Sequence, residues 1–186
     1  MPGATAFLCW MFVVLAFALR TSGEEMLAKG VKQAQFSVIG IEVRTDNAKE
    51  ASGAGSIPKL WDKFFKDGVL DRIPNKDGFD ILVVYSNYRS DRNGDYDYLI
   101  GARVKDASSI PAGMVAKTVL GGVYTIVTTP SGPVSKVVPE TWRRIWEFED
   151  KGQLGGVRAY KTDFEVYDQR SRDPQNSQVD IYIGLK

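Results

Sequence analysis

Thr162-Asp163-Phe164-Glu165-Val166-Tyr167 and Val179-Asp180-Ile181-Tyr182-Ile183-Gly184-Leu185 are the two runs that decide the fold. Both are rich in β-branched and aromatic residues and are bounded by Asp, Ser, Asn, Gln and Pro, which is the pattern of strands. The connector from Asp168 to Gln178 holds Asp173-Pro174-Gln175-Asn176-Ser177, turn chemistry that joins the runs as an antiparallel hairpin with an extended loop. Strand side chains alternate faces, so Glu165 shares a face with Asp163 and Tyr167. If that face is interior, a carboxylate stands among aromatic rings and needs a cation or hydrogen-bond donors to meet it.

The same arrangement occurs earlier in the chain. Ile81-Leu82-Val83-Val84-Tyr85 followed by Asp97-Tyr98-Leu99-Ile100-Gly101 aligns with the C-terminal pair, matching Tyr85 with Tyr167, Asp97 with Asp180 and Gly101 with Gly184. Each pair is preceded by an amphipathic, Trp-containing stretch. The first is Pro58-Lys59-Leu60-Trp61-Asp62-Lys63-Phe64-Phe65 and the second Glu140-Thr141-Trp142-Arg143-Arg144-Ile145-Trp146-Glu147-Phe148. Such self-similarity predicts a duplicated strand–helix–strand–strand unit. In this alignment Glu165 falls opposite Val83. An acid in one half where the other half has a valine marks Glu165 as a candidate functional residue against the alternative of a chance surface position.

Working outward, Phe36 to Thr45 reads as the first strand, with Phe36 and Val38 on one face. Ile57 to Asp67 carries Leu60, Trp61, Phe64 and Phe65 at helical spacing, with Pro58 early and Gly68 as the stop. The first hairpin runs over 79–87 and 95–104, with Asp91-Arg92-Asn93-Gly94 at its tip. Residues 110–119 and 123–129 form two more strands, and Val134 to Lys151 a long helix with Trp142, Ile145 and Trp146 on one face. The expected fold is α+β: two βαββ units in a curved antiparallel sheet with two main helices and a central ligand cleft.

At 186 residues, with 44% hydrophobic and 25% charged content, the chain fits one globular domain over residues 35–186. A net charge of +1 and the lack of a basic cluster give no sign of a nucleic-acid partner. The absence of histidine removes His-dependent triads, the usual haem ligand and most zinc sites, so no cofactor or metal is called for. The one cysteine, Cys9, allows no internal disulfide. The apolar run over residues 7–19 has the length of a signal-peptide core, which makes residues 1–22 a signal peptide or membrane-anchor leader and 23–34 a polar linker. A cleaved leader implies a secreted or periplasmic protein; without cleavage the chain is membrane-anchored or, if the run is no leader, cytoplasmic.

Several motifs together resemble the GyrI-like effector-binding domains of bacterial multidrug-responsive regulators and stand-alone, integron-encoded binding proteins. They are Ile110-Pro111-Ala112-Gly113, Thr129-Pro130-Ser131-Gly132-Pro133, Pro139-Glu140-Thr141-Trp142-Arg143-Arg144-Ile145-Trp146, and the Asp163 to Tyr167 and Asp180 to Ile183 strands. The resemblance covers residues 34–186 and implies a cleft between the halves in which a glutamate meets lipophilic cations. Glu165 occupies the matching motif position and Tyr182 that of the tyrosine on the last strand. Residues 1–34 hold no helix-turn-helix, so a solitary binder is the economical reading.

The candidate ligand-binding residues are Glu165, Tyr182, Tyr167, Trp142, Trp146, Tyr85, Tyr98, Tyr124, Trp61 and Phe65, each weighed against a plain core role. Aromatic faces attract a cation and a desolvated carboxylate pairs with it. Asp97 and Asp180 read as turn or cap residues, and the Arg89 to Arg92 and Arg170 to Asp173 segments as solvated loop tips. The expected partner is a small hydrophobic, cationic ligand. Two alternatives stay open: a hydrolase of strained electrophiles with Glu165 as its catalytic acid or base, and a protein-interaction module of the inhibitor type.

Overall fold

The computed structural model describes the backbone of residues 26–186 and side chains from residue 29. The leader expected over residues 1–22 lies outside the described residues. The elements in order are β1 (Met26–Gln33), β2 (Phe36–Thr45), α1 (Asn47–Ala51), α2 (Ile57–Lys66), α3 (Val69–Arg72), β3 (Ile81–Ser86), β4 (Tyr96–Val104), β5 (Val115–Val119), β6 (Gly122–Thr128), α4 (Val134–Asp150), β7 (Thr162–Tyr167) and β8 (Asp180–Gly184). None of the described helices is long and apolar enough to cross a membrane.

All eight strands join one antiparallel sheet in the order β1-β6-β8-β7-β3-β4-β2-β5. The duplication is explicit in that order. The units β2-α2-β3-β4 and β6-α4-β7-β8 meet at the seam where β3 pairs with β7, and Val83 lies directly across from Glu165. The valine of one repeat and the glutamate that replaces it in the other are therefore neighbours at the centre of the sheet.

The expected linker over residues 23–34 is corrected: most of it is β1, which pairs with β6. Each repeat lends a strand to the other, since β5 leads into β6 but pairs with β2. The register holds from Val31↔Tyr124 and Gln33↔Gly122 into Phe36↔Val119, so β1–β2 and β5–β6 run against each other as one long ribbon that links the two ends of the strand order. Where β2 crosses β4, Gly40 faces Gly101. A Cβ at either position would lie 2.0 Å from a carbonyl oxygen of the opposite strand, so only glycine permits this backbone approach.

Strand alternation divides the interior in two. One face carries Ile39, Val83, Tyr85, Tyr98, Ile100, Ile181 and Ile183 beneath Leu60 and Phe64 of α2 and Trp142 and Ile145 of α4. The other carries Phe36, Val38, Val84, Leu99, Tyr124 and Phe164, enclosed by the curl of the sheet itself. The carboxylate of Glu50 accepts the backbone N–H of Ser56 (2.9 Å) and of Ile57 (3.3 Å), which anchors the start of α2 in the absence of a side-chain cap from Ser56. Gly68, at φ 56°, turns the chain from α2 into the short α3, a continuation that periodicity did not reveal.

The Asp97 and Asp180 expectations are also revised. Asp97 pairs with Arg44 (2.7 Å) and Lys117 (2.8 Å), and Asp180 accepts hydrogen bonds from Thr128 (2.6 Å) and Arg170 (2.6 Å). They clamp strands together instead of capping turns. Nor are both arginine-rich loops merely solvated: Arg92 of the β3–β4 loop reaches the Trp146 carbonyl (3.2 Å) and Asp150 (3.0 Å), tying that loop to α4.

Candidate functional site

Glu165 and Asp163 point to the same face of β7, two residues apart, and solvent reaches neither (both 0% exposed). Their surroundings differ. Asp163 pairs with the Arg158 guanidinium at 2.7 Å and accepts from Tyr88 Oη (2.6 Å) and the Gly184 backbone N–H (2.8 Å). Glu165 accepts from Tyr85 Oη (2.7 Å), Trp142 Nε1 (2.6 Å) and Tyr167 Oη (2.7 Å), all neutral donors. Among the described residues no basic side chain pairs with it.

That contrast sets the electrostatics. Burial pushes the Glu165 carboxyl above its usual range, and the bonds from Trp142, Tyr167 and Tyr85 only partly oppose this. Burial and the nearby carboxylate raise Tyr85 and Tyr167 well above 10, so both remain phenols and donors. Burial works to lower the Arg158 guanidinium, but Asp163 and the neighbouring tyrosines outweigh it and hold the charge firmly in place. Arg158 is further sandwiched by rings, 4.3 Å from the Tyr160 centroid and 5.4 Å from that of Trp142. Trp142 thus lies between a buried ion pair and an acid with no counter-charge among the described residues.

A proton is bound more tightly by Glu165 in the folded chain than in the unfolded one, because its folded-state pKa is raised. Its contribution to stability is therefore greatest in acid and is lost as pH rises from about 4.5 through the folded value. Urea unfolding of the wild type and of Glu165→Gln across this range should show the wild type losing stability relative to the variant as pH rises. The variant fits the site: its amide oxygen replaces the acceptor for Tyr85 and Trp142, and its NH₂ can donate to the Tyr167 oxygen. A difference that stays flat with pH would mean that Glu165 is not an uncompensated acid.

An aromatic shell closes over the carboxylate. The Tyr85 ring lies 4.8 Å from Trp142 and 5.1 Å from Tyr98. Tyr98 Oη accepts from Trp61 Nε1 at 3.0 Å, and Trp61 meets Tyr167 edge-on at 5.2 Å. Six of the sequence-predicted residues are thereby assembled: Glu165, Tyr85, Tyr98, Trp142, Tyr167 and Trp61. Phe65 stacks on Trp61 at 5.6 Å and is 64% exposed, the outward end of the same ladder. Trp146 is half-buried one turn beyond Trp142 and makes no bond to Glu165; its buried indole N–H has no hydrogen-bond partner among the described residues.

Tyr124 and Tyr182 are not part of this assembly. Tyr182 sits across from Phe164, the residue beside Glu165, so alternation sends it to the opposite face, where it stacks on Phe164 at 4.2 Å. Tyr124 lies on that face too, edge-on to Phe164 at 5.4 Å. The site also contains residues that sequence reading passed over. Tyr96, at the start of β4, packs 5.4 Å from Tyr85, and the alternation of Tyr96 and Tyr98 was its available signal. For Tyr88 and Arg158, in loops with no periodicity, there was none.

Comparison with known proteins agrees with this fold. Residues 31–185 match the family model described as Cass2, integron-associated effector binding protein. The chain is 33% identical over 148 residues to the putative transcriptional regulator protein YobU of Bacillus subtilis, covering 79% of this chain and 90% of that protein. Among solved structures, the integron cassette protein VCH_CASS2 of Vibrio cholerae superposes with a TM-score of 0.66 at 25% identity, covering 88% of this chain and 96% of that one. SAV2435 bound to tetraphenylphosphonium superposes with a TM-score of 0.68 at 20% identity, covering 88% and 94%. The chain belongs to the integron-associated effector-binding protein family.

Proposed function

We propose that this effector-binding domain takes up small lipophilic cations and that Glu165 is their counter-charge. The observation that carries the reading is the contrast on β7: the fold supplies Asp163 with a guanidinium and gives Glu165 only neutral donors. A ligand cation would supply the missing partner at low local dielectric, where the attraction is strong. The rings around it offer apolar contact and cation–π attraction without demanding a single ligand shape, which suits broad specificity. That the structural neighbour SAV2435 binds tetraphenylphosphonium, a lipophilic cation, is in keeping with this reading.

The way in follows from exposure. Tyr167 and Trp61 are half-buried and Phe65 is open to solvent, so a ligand arriving between α2 and β7 meets these rings first. Reaching Glu165 requires the Tyr167 hydroxyl to leave its carboxylate and Trp61 to turn from Tyr98. The neutral Trp61–Tyr98 bond is worth about 1 kcal/mol in net terms and the Tyr167 bond to the carboxylate about 1.5–3 kcal/mol, and both can be exchanged for an ionic contact.

The test is a tryptophan-fluorescence titration at pH 8 with tetraphenylphosphonium and with neutral triphenylphosphine oxide, two ligands with similar rings. Saturable binding of the cation, tighter than the neutral compound by about tenfold or more, is the expected result. Equal affinity would remove Glu165 from ligand recognition, and turnover of a strained electrophile without cation binding would favour the hydrolase.

A further inference from the structure

A second hollow, of about 460 Å³, opens at the end of the sheet, around the start of β6 and the end of β8. Leu120 and Val123 line it where β5 passes into β6; the hydroxyls of Tyr124 and Thr162, 3.0 Å apart, lie in its wall, where Tyr124 donates to the Leu120 carbonyl (2.7 Å) and Thr162 accepts from the Leu120 N–H (3.3 Å). Both apolar side chains are exposed, at 39% and 38%, and Val157, beside the rim, is 64% exposed. Lys161 and Lys186 complete the lining, both solvent-exposed and in no ion pair among the described residues. No carboxylate side chain lines the hollow, and an α-carboxylate on Lys186 would offset one ammonium while leaving that of Lys161.

From this juxtaposition we infer a second ligand site, for an amphipathic anion whose apolar body lies along Leu120 and Val123 and whose acidic head meets Lys161. The volume falls within the range of small-molecule pockets. An apolar wall with an ammonium group at one side is complementary to a single carboxylate or sulfonate head on a hydrophobic chain. Its charge preference is opposite to that of the Glu165 site, and none of the residues bonded to Glu165 lines it. Gly122 governs access: it lies on the same face of β6 as Tyr124, a Cβ there would meet nothing within 4 Å, and its φ is outside the left-handed region. A large side chain at this position would occupy the hollow without backbone strain.

Decanoate, decanol and decyltrimethylammonium, titrated into ¹⁵N-labelled protein, separate head-group charge from chain burial. Decanoate should shift the backbone amides of Gly121, Gly122, Ala159 and Gly184 saturably, and more tightly than decanol. Lys161→Ala should weaken it about three- to tenfold, Gly122→Phe should abolish it, and Glu165→Gln should leave it unchanged. Decyltrimethylammonium should leave these amides unmoved. Phosphatidylglycerol vesicles distinguish a free amphipath from a lipid surface: binding to vesicles without binding of free decanoate overturns the enclosed site. So does equal binding of decanoate and decanol, or decanoate binding that survives Gly122→Phe.

Discussion

Arg158→Met is expected to destabilise the fold by about 3–5 kcal/mol, the cost of removing one partner from a buried ion pair. The guanidinium is nearly free of solvent, as is Asp163 (side chains 2% and 0% exposed). Methionine keeps the aliphatic contact with Tyr160 and Trp142 but leaves Asp163 with only the Tyr88 hydroxyl and the Gly184 N–H. Urea denaturation at pH 7 measures the loss. Adding Asp163→Asn to Arg158→Met removes the stranded charge and should restore a large part of it, since pairs of neutral groups replace ion pairs at little cost. A loss below about 1 kcal/mol for Arg158→Met would show that Asp163 does not depend on that charge, and with it the contrast between the two acids of β7 would disappear.

The architecture was legible because it is written twice. Tyr85 with Tyr167, Asp97 with Asp180 and Gly101 with Gly184 set the repeat, and the helical spacing around Trp61 and Trp142 placed a helix in each half. The acid at the seam was legible too, since a glutamate in mid-strand between Phe164 and Val166 violates the pattern around it. What escaped was what depends on register and tertiary contact. Tyr182 reads as a site residue until its pairing with Phe164 fixes the face it occupies. β1 (Met26–Gln33) went unseen because its sequence, MLAKGVKQ, is interrupted by Gly30 at φ 70° where the pairing with β6 shifts register. Arg158, in the glycine-rich stretch after α4, carries no sign of burial in its neighbours. Only the folded chain brings Asp163, Tyr160 and Trp142 around it.

The second large effect concerns ligand affinity. If Glu165 is the counter-charge, Glu165→Gln removes one partner of a desolvated pair and should weaken tetraphenylphosphonium by about 2–4 kcal/mol, on the order of a hundredfold in Kd. Stability should hold or improve at neutral pH, because the variant no longer buries an uncompensated charge. Wild-type affinity for the cation should rise with pH as Glu165 ionises, whereas that of the variant should not. A fall in affinity from misfolding is thereby distinguishable from the loss of a charge.

The most direct measurement is a four-way titration: wild type and Glu165→Gln, each with tetraphenylphosphonium and with triphenylphosphine oxide, by calorimetry at pH 8. The predicted result is a loss of about a hundredfold for the cation and less than about threefold for the neutral compound. Equal changes for both ligands, or none for either, would contradict it.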